Sequence, residues 1–484
     1  MPAFSLEPAH LAWCAELRAL AADRLRPLAE QGEPGRVNRP LVAELGRLGL
    51  LGRLFTSGAL ELCLMRESLA YACTEAETAL ALQGLGAHPV HTHGTDRQRE
   101  RWLPRVRDGS AVAAFALSEP GAGSDAAALT LRAEREGVPG GGAGGLVGAG
   151  PGGGLGVGAG GPVGVVPDDG LGVGAGGPVA TGPGGELSVG SMGSPGAGTD
   201  RPVGVGPEGS PGAGSGPGAW SGPHAESEPG PGSGSHVGAL VADPDGSSRW
   251  RLTGDKCWIS NAPEADFYTV FARTTPGAGA RGVTAFLVPA DRPGLTGTGL
   301  DMLSPHPIGT LRFDAVPVTA DDLLGEVDHG FRVAMGTLNL FRPSVGAFAV
   351  GMAQAALDAA LAHTARRDAF GGKLRDLQTV SHQVAEMALR TEAARLMVYA
   401  AATAYDTGAR DVPQRSAMAK LLATETAQYV VDAAVQLHGA RALRRGHLLE
   451  HLYREVRAPR VYEGASEVQR GIIAKELYGH LEDR

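Results

Sequence analysis

One carboxylate near the end of the chain stands where it could do chemistry. In Arg460-Val-Tyr-Glu-Gly-Ala-Ser-Glu-Val-Gln-Arg470, Glu463 lies between bulky Tyr462 and flexible Gly464, just ahead of a helix-like run. On the residues alone two readings are open: a solvated acid near a helix start, or a base aimed into a pocket. Ser466 and Gln469 have the spacing of a capping box, with Ser466 as N-cap and the helix running through Val468, Ile472 and Ile473. That places Glu463 outside the helix, and Gly464 lets the backbone turn there and approach a ligand closely.

Four other segments carry polar groups in suggestive settings. Phe115-Ala-Leu-Ser-Glu-Pro-Gly-Ala-Gly-Ser-Asp125 reads as an apolar strand entering a small-residue turn, with Ser118 and Ser124 adding hydroxyls. It is not a phosphate loop, because no Gly-Lys-Ser/Thr follows. In Lys256-Cys-Trp-Ile-Ser-Asn261, a Trp beside a hydroxyl could wall a flat ring and bond its heteroatoms. In Arg366-Arg-Asp-Ala-Phe-Gly-Gly-Lys373, Arg367 and Phe370 are expected to share a face at a helix end, where an arginine can meet a pyrophosphate. Gln436 and Gly439, in Val435-Gln-Leu-His-Gly-Ala-Arg441, could line a close backbone approach. Each segment alone has an ordinary structural explanation: a turn, a core Trp, a solvated helix-end charge, a structural His438.

The elements that must position these groups follow an order of helical, strand-rich, helical. Leu41, Leu45, Leu48 and Leu51 recur at helical spacing, as do Leu62, Met65 and Leu69. Residues 111–325 are strand-rich, and residues 326–484 return to helix, with Ala349–Arg366 and Val380–Ala402 rich in helix formers. A compositional break covers residues 137–236, which hold more than half of the chain's 74 glycines. It repeats itself: Gly-Leu-Gly-Val-Gly-Ala-Gly-Gly-Pro-Val starts at Gly154 and again at Gly170. Such a segment is expected to be a disordered, passive insertion, because it cannot bury enough apolar surface to offset its ordering entropy. The flanks Ala128–Arg135 and Trp250–Ser260 alternate in strand fashion, the second around a Thr-Gly-Asp turn. The insertion is therefore expected at the tip of a strand–strand connection.

The formal net charge of -9 argues against nucleic-acid binding. The first residues lack a signal-peptide pattern, and no apolar run approaches the roughly 20 residues that span a bilayer. The expected setting is cytoplasmic, without membrane insertion. Cys14, Cys63, Cys73 and Cys257 lack metal-ligand spacing and are expected to be small buried hydrophobes, so no metal is expected.

Taken together, the segments resemble the acyl-CoA dehydrogenase family across nearly the whole chain outside the insertion. Four motifs recur in the family's order: Phe115 to Asp125, Trp258 to Asn261, Arg367 to Gly371 with Gln378, and Tyr462 to Arg470. The runs Gly94–Pro104 and Asn339–Pro343 add to them. The resemblance implies an α+β fold: a helical N-terminal domain (1–110), a β-barrel-like middle domain (111–325) interrupted by the insertion, and a C-terminal four-helix bundle (326–484). It implies FAD, bordered by Phe115, Leu117, Ser118, Gly123, Ser124, Trp258, Ile259, Ser260, Ala465 and Glu467. Arg367, Phe370, Gln378, Gln436 and Gly439 would serve the FAD of a neighbouring subunit in a homodimer or homotetramer. Ser124, Asn339, Arg342, Tyr462 and Gly464 would border an acyl-CoA, and Glu463 would be the catalytic base for α,β-dehydrogenation to the trans-2-enoyl-CoA. Electrons would pass to an electron-transferring flavoprotein. Three departures stand out. Ala465 replaces a usual Thr, Gln436-Leu-His-Gly-Ala-Arg lacks a second glycine, and Asn339 replaces a common Asp. The alternatives are an acyl-CoA oxidase, another flavin-dependent relative such as a monooxygenase, and a non-catalytic FAD-binding scaffold. Glu463 argues against the last two.

Overall fold

A computed structural model describes residues 6–136 and 248–482. All of these belong to one compact unit. The Gly/Pro-rich segment 137–236 lies outside the described residues.

The N-terminal region is helical: α1 (Pro8–Leu20), α2 (Arg39–Arg47), α3 (Ala59–Ala72), α4 (Thr74–His93) and α5 (Asp96–Arg107). The leucine run at helical spacing is split: α2 ends at Arg47, and Gly49, at a left-handed φ of 74°, precedes a separate short helix, Leu50–Arg53. Leu41, Leu45 and Leu51 still reach the core. Helix α3 is buried nearly all round, since α1 covers one side and the C-terminal helices another. That surround explains why charged residues inside it, Arg66 and Glu67, need partners.

The middle region is a curled seven-stranded sheet. Its strands are β1 (Ala113–Ala116), β2 (Arg132–Arg135), β3 (Arg249–Ser260), β4 (Phe267–Arg273), β5 (Val283–Pro289), β6 (Leu295–Leu300) and β7 (Ile308–Thr319). The order is β1-β4-β2-β3-β7-β6, with β5 paired to β4. The two strands flanking the Gly/Pro-rich segment pair antiparallel, Arg132 opposite Thr253 and Arg135 opposite Trp250. The expected Thr-Gly-Asp turn is absent. β3 runs straight through it, and Gly254, at φ 139°, sits in an irregularity between Leu252 and Gly254 where the register against β7 shifts. The first flank is also shorter than expected, since residues 126–128 form a 3-10 turn and the strand begins at Arg132.

Four long helices, α6 (Gly330–Arg366), α7 (Gln378–Asp406), α8 (Val412–His438) and α10 (Ser466–Glu482), and a short α9 (Leu448–Glu455) form the C-terminal region. α6 is long and apolar enough to cross a membrane, but 72% of its most apolar window is buried inside the protein. It serves as a core helix, packed on α3, α7 and α8. Arg367 and Phe370 do not share a helical face. α6 ends at Arg366, and Asp368–Ala369 pairs with Gly372–Lys373 in a small hairpin. Phe370 and Gly371, both at positive φ, form its two-residue turn, which a helix could not accommodate.

Candidate active site

Glu463 occupies a turn that the rest of the fold grips from behind. Its backbone is left-handed, at φ 51°, a conformation that costs a non-glycine residue free energy and persists only where the surroundings impose it. Gly464 follows at φ 93°, and a Cβ there would collide with the Gln469 amide. Two side chains collect the carbonyls of the turn. Lys420, fully buried on α8, donates its Nζ to Tyr462 O (3.1 Å) and Gly464 O (2.7 Å). Gln469 Nε2 donates to Glu463 O (3.2 Å) and Gly464 O (2.9 Å). Glu425, one turn further along α8, accepts from Arg460 Nε (3.0 Å) and Ser466 Oγ (2.6 Å), fixing both ends of the segment.

The capping box is therefore not formed. Ser466 is the first residue of α10, and its hydroxyl goes to the charged Glu425, a stronger acceptor. Gln469 reaches back to the carbonyls instead of the cap amide. With the carbonyls of residues 462–464 engaged behind the turn, the Glu463 N–H has no acceptor among the described residues. Glu463 Oε2 is likewise buried without a hydrogen-bond partner, as is Arg342 Nε. Unsatisfied buried polar atoms on neighbouring groups mark a place where a ligand completes the structure.

The electrostatics suit a base. Burial raises the Glu463 pKa above the usual carboxylate range, while the charges of Arg66, Lys420 and Arg342 pull it back. Burial in turn lowers Lys420 to about 8, despite the opposing pull of Glu463. Replacing Lys420 with Met removes both a positive charge and the grip on the turn. The expected outcome is a pH–rate profile for flavin reduction displaced to higher pH, with kcat lowered about 100-fold through misplacement of the base. Lys420→Arg should recover part of it. An unchanged profile for Lys420→Met would count against this role.

The flavin-side candidates also converge. Ser118 O accepts from Cys257 N (3.1 Å), and Asn261 Nδ2 donates to Ala113 O (2.8 Å), so β1 and its turn lie against the end of β3. Lys256, fully buried, reaches Leu117 O (2.8 Å) and Glu119 Oε1 (2.9 Å). Glu119 also accepts from Thr130 N (2.6 Å), Thr130 Oγ (2.8 Å) and Leu131 N (2.9 Å). Burial opposes the Glu119 anion, but Lys256 and these amides outweigh it and hold its pKa below the usual range. In this setting Leu117 and Ile259 are buried, Phe115 packs at a tilt on Phe271, and Ser118 and Ser260 are half-buried. Gly123 and Ser124 are exposed on the turn, and a Cβ at Gly121 or Gly123 would meet nothing within 4 Å. Trp258, at φ 61°, leaves its indole 54% exposed.

Asn339 and Arg342 lie one turn apart on α6, joined by Arg342 Nη1 to Asn339 Oδ1 (3.1 Å). Tyr462, Gly464 and Ala465 are half-buried around the base, and Glu467 is exposed, paired with Arg470 at 3.4 Å. Arg367, Phe370, Gln378, Gln436 and Gly439 are elsewhere. All five are exposed, Phe370 at 89%, and His363 of α6 stacks on His438 of α8 at 4.1 Å beside them. The stretch of α6 from Arg342 to His363 rises roughly 30 Å. One chain therefore presents two groups of candidates at opposite ends of the α6–α8 pair.

Lys420, Glu119, Lys256, Arg66 and Glu77 carry no local pattern that marks them as supports of the site, and Gln469 holds the Glu463 and Gly464 carbonyls in place of the expected cap amide. A faint signal exists for one of them: Lys420 interrupts the alanine face of Ala417, Ala423 and Ala427. A lone charge on an apolar face points to a buried partner.

Family models match at residues 7–110, 225–316 and 328–478, described as the acyl-CoA dehydrogenase N-terminal, middle and C-terminal domains respectively. A probable acyl-CoA dehydrogenase of Mycobacterium tuberculosis is 38% identical over 49% of this chain and 61% of its own length, so this chain spans less than two thirds of that relative. Cyclohexane-1-carbonyl-CoA dehydrogenase of Geobacter metallireducens is 26% identical over 95% of each chain. The butyryl-CoA dehydrogenase structure from Megasphaera elsdenii superposes with a TM-score of 0.71 at 24% identity, covering 98% of this chain and 99% of that one, which shows the shared fold. The chain belongs to the acyl-CoA dehydrogenase family, whose members are FAD-dependent. The donor set fits that cofactor: an exposed indole, two serines and a turn without side-chain obstruction lie together where β1 meets the end of β3.

Proposed function

We propose that this chain is an FAD-dependent dehydrogenase that converts an acyl-CoA thioester to its trans-2-enoyl-CoA, with Glu463 as the base. The observation that carries this reading is Glu463 itself: a carboxylate held in a left-handed turn, with Oε2 buried and unpartnered. Its raised pKa gives it the basicity to take a proton from the carbon next to the thioester carbonyl. The Glu463 N–H, which has no acceptor among the described residues, would donate to the thioester oxygen and stabilise the enolate that develops there. Arg342, with its unpaired Nε, and Asn339 border the acyl-CoA. FAD, when bound, accepts the hydride lost from the β carbon. Ser118, Ser124, Trp258 and Ser260 would hold and cover it, with Phe115, Leu117, Gly123, Ile259, Ala465 and Glu467 along its border.

Arg367, Phe370, Gln378, Gln436 and Gly439 would complete the FAD site of a second copy, because their distance along α6 and α8 keeps them from the Glu463 site of their own chain. The working assembly is then a homodimer or homotetramer, and electrons leave to an electron-transferring flavoprotein. The acceptor is tested by reoxidation of the acyl-CoA-reduced enzyme. Fast transfer to an electron-transferring flavoprotein with little peroxide is expected, whereas rapid oxygen consumption with stoichiometric peroxide would assign an oxidase.

A further inference from the structure

Glu463 and the flavin-side residues belong to different parts of the chain, and a buried ion pair joins the two parts. His306, in the loop between β6 and β7, places Nε2 2.6 Å from Oε2 of Glu455, the last residue of α9, and the two side chains are only 9% and 0% exposed. No other group among the described residues forms an ion pair or hydrogen bond with the Glu455 carboxylate. Burial opposes both charges, yet the pairing prevails. It holds His306 above its ordinary pKa, helped by Glu77 and Glu75 of α4, and Glu455 below its own, helped by His451 and Arg454.

Each end of the pair leads directly to a candidate group. On one side, Pro307 O accepts from Asn261 N (2.7 Å), and Ile308 and Gly309 pair with Ser260 and Ile259 at the end of β3. On the other, one 3-10 turn (Ala458–Arg460) separates α9 from the base, and Val461 N and Tyr462 N both donate to Ala458 O (2.8 and 3.2 Å). Towards α9 the loop has little other hold. Met302 and Leu303 are exposed, a cleft of about 100 Å³ lined in part by Glu75, Asn261 and His306 adjoins it, and Arg454 Nη1 reaches Leu303 O only at 3.5 Å. We propose that His306 and Glu455 are positioning residues, whose ion pair fixes the segment carrying Glu463 relative to the strand end carrying Trp258 and Ser260. This rests on the dehydrogenase reading and adds what sets its geometry. The proton and the hydride leave adjacent carbons of one substrate, so base and flavin must keep one relation, and a displacement of about 1 Å can cost roughly 100-fold in rate.

The limiting rate of flavin reduction by butyryl-CoA and the half-saturating concentration are measured anaerobically on FAD-loaded proteins. Two variants are compared with the wild type. Glu455→Gln leaves His306 free to become neutral, and the double variant His306→Leu, Glu455→Leu removes both charges together, so that neither is stranded. In each, the limiting rate is expected to fall about tenfold or more, with the half-saturating concentration within about twofold of wild type and FAD content unchanged. A wild-type limiting rate in the folded, FAD-loaded double variant overturns the proposal. So does a change confined to the half-saturating concentration. If one variant fails to fold, the other decides. Loss of FAD from both makes the pair a structural support and also overturns the positioning role. A wild-type flavin that no acyl-CoA reduces counts instead against the dehydrogenase reading, and the positioning role falls with it.

Discussion

Glu463→Gln is expected to keep its FAD and fold while losing flavin reduction by acyl-CoA by a factor of about 10,000, the upper range for removing a positioned general base. The amide is nearly isosteric, and Lys420 and Gln469 hold the turn through its carbonyls, not through the carboxylate. The left-handed backbone and the Glu463 N–H should therefore survive. The loss should fall on kcat, with acyl-CoA binding retained, since the carboxylate acts when the α proton departs. Stopped-flow reduction and a spectral titration with substrate separate these effects. Undiminished reduction would remove Glu463 from the role of base.

Glu119→Ala should be the most damaging change at the flavin side. The carboxylate pairs with fully buried Lys256 and accepts three further hydrogen bonds from Thr130 and Leu131. Removing one member of a buried pair costs about 3–5 kcal/mol, because the other is left desolvated. Burial already lowers the Lys256 pKa to about 8, and without Glu119 it should lose its proton more readily, which relieves part of the cost. The residues at stake, Leu117 to Ser124, are those proposed to hold the cofactor, so FAD should be lost at lower denaturant than in the wild type. Glu119→Gln should lose less, since one oxygen remains for the Leu131 or Thr130 amide. Denaturant unfolding followed by flavin fluorescence measures both, and a wild-type midpoint for Glu119→Ala would refute the assignment.

The sequence discloses the candidate groups of the site and conceals most of the residues that hold them. The Ser118–Ser124 turn, Trp258 and Glu463 were legible because small residues, an aromatic and an acid at fixed local spacing leave a local pattern. Gly254 was read as a turn because glycine permits both a turn and a strand irregularity, and only the pairing of β3 with β7 selects the second. Phe370 reads as helical from sequence because nothing in its side chain reports its positive φ. Ser466 reads as an N-cap from sequence because its better acceptor, Glu425, lies 41 residues away. Lys420 was missed for a related reason: its partners are backbone carbonyls 42 and 44 residues distant. Long-range partners of this kind carry no local spacing, and only a lone charge on an alanine face hints at them.

The two groups of candidates, one half-buried around Glu463 and one exposed at the far end of α6 and α8, should separate activity from assembly. Changes at Glu463 or Lys420 act within one chain, whereas Arg367 and Gln436 should matter only where a second copy brings them to its FAD.

The most direct measurement is anaerobic addition of butyryl-CoA to the purified, FAD-loaded protein. Bleaching of the visible flavin band in the wild type, absent in Glu463→Gln, is the predicted result. A flavin that remains oxidised with every acyl-CoA tried, or one bleached equally well in both proteins, would contradict it.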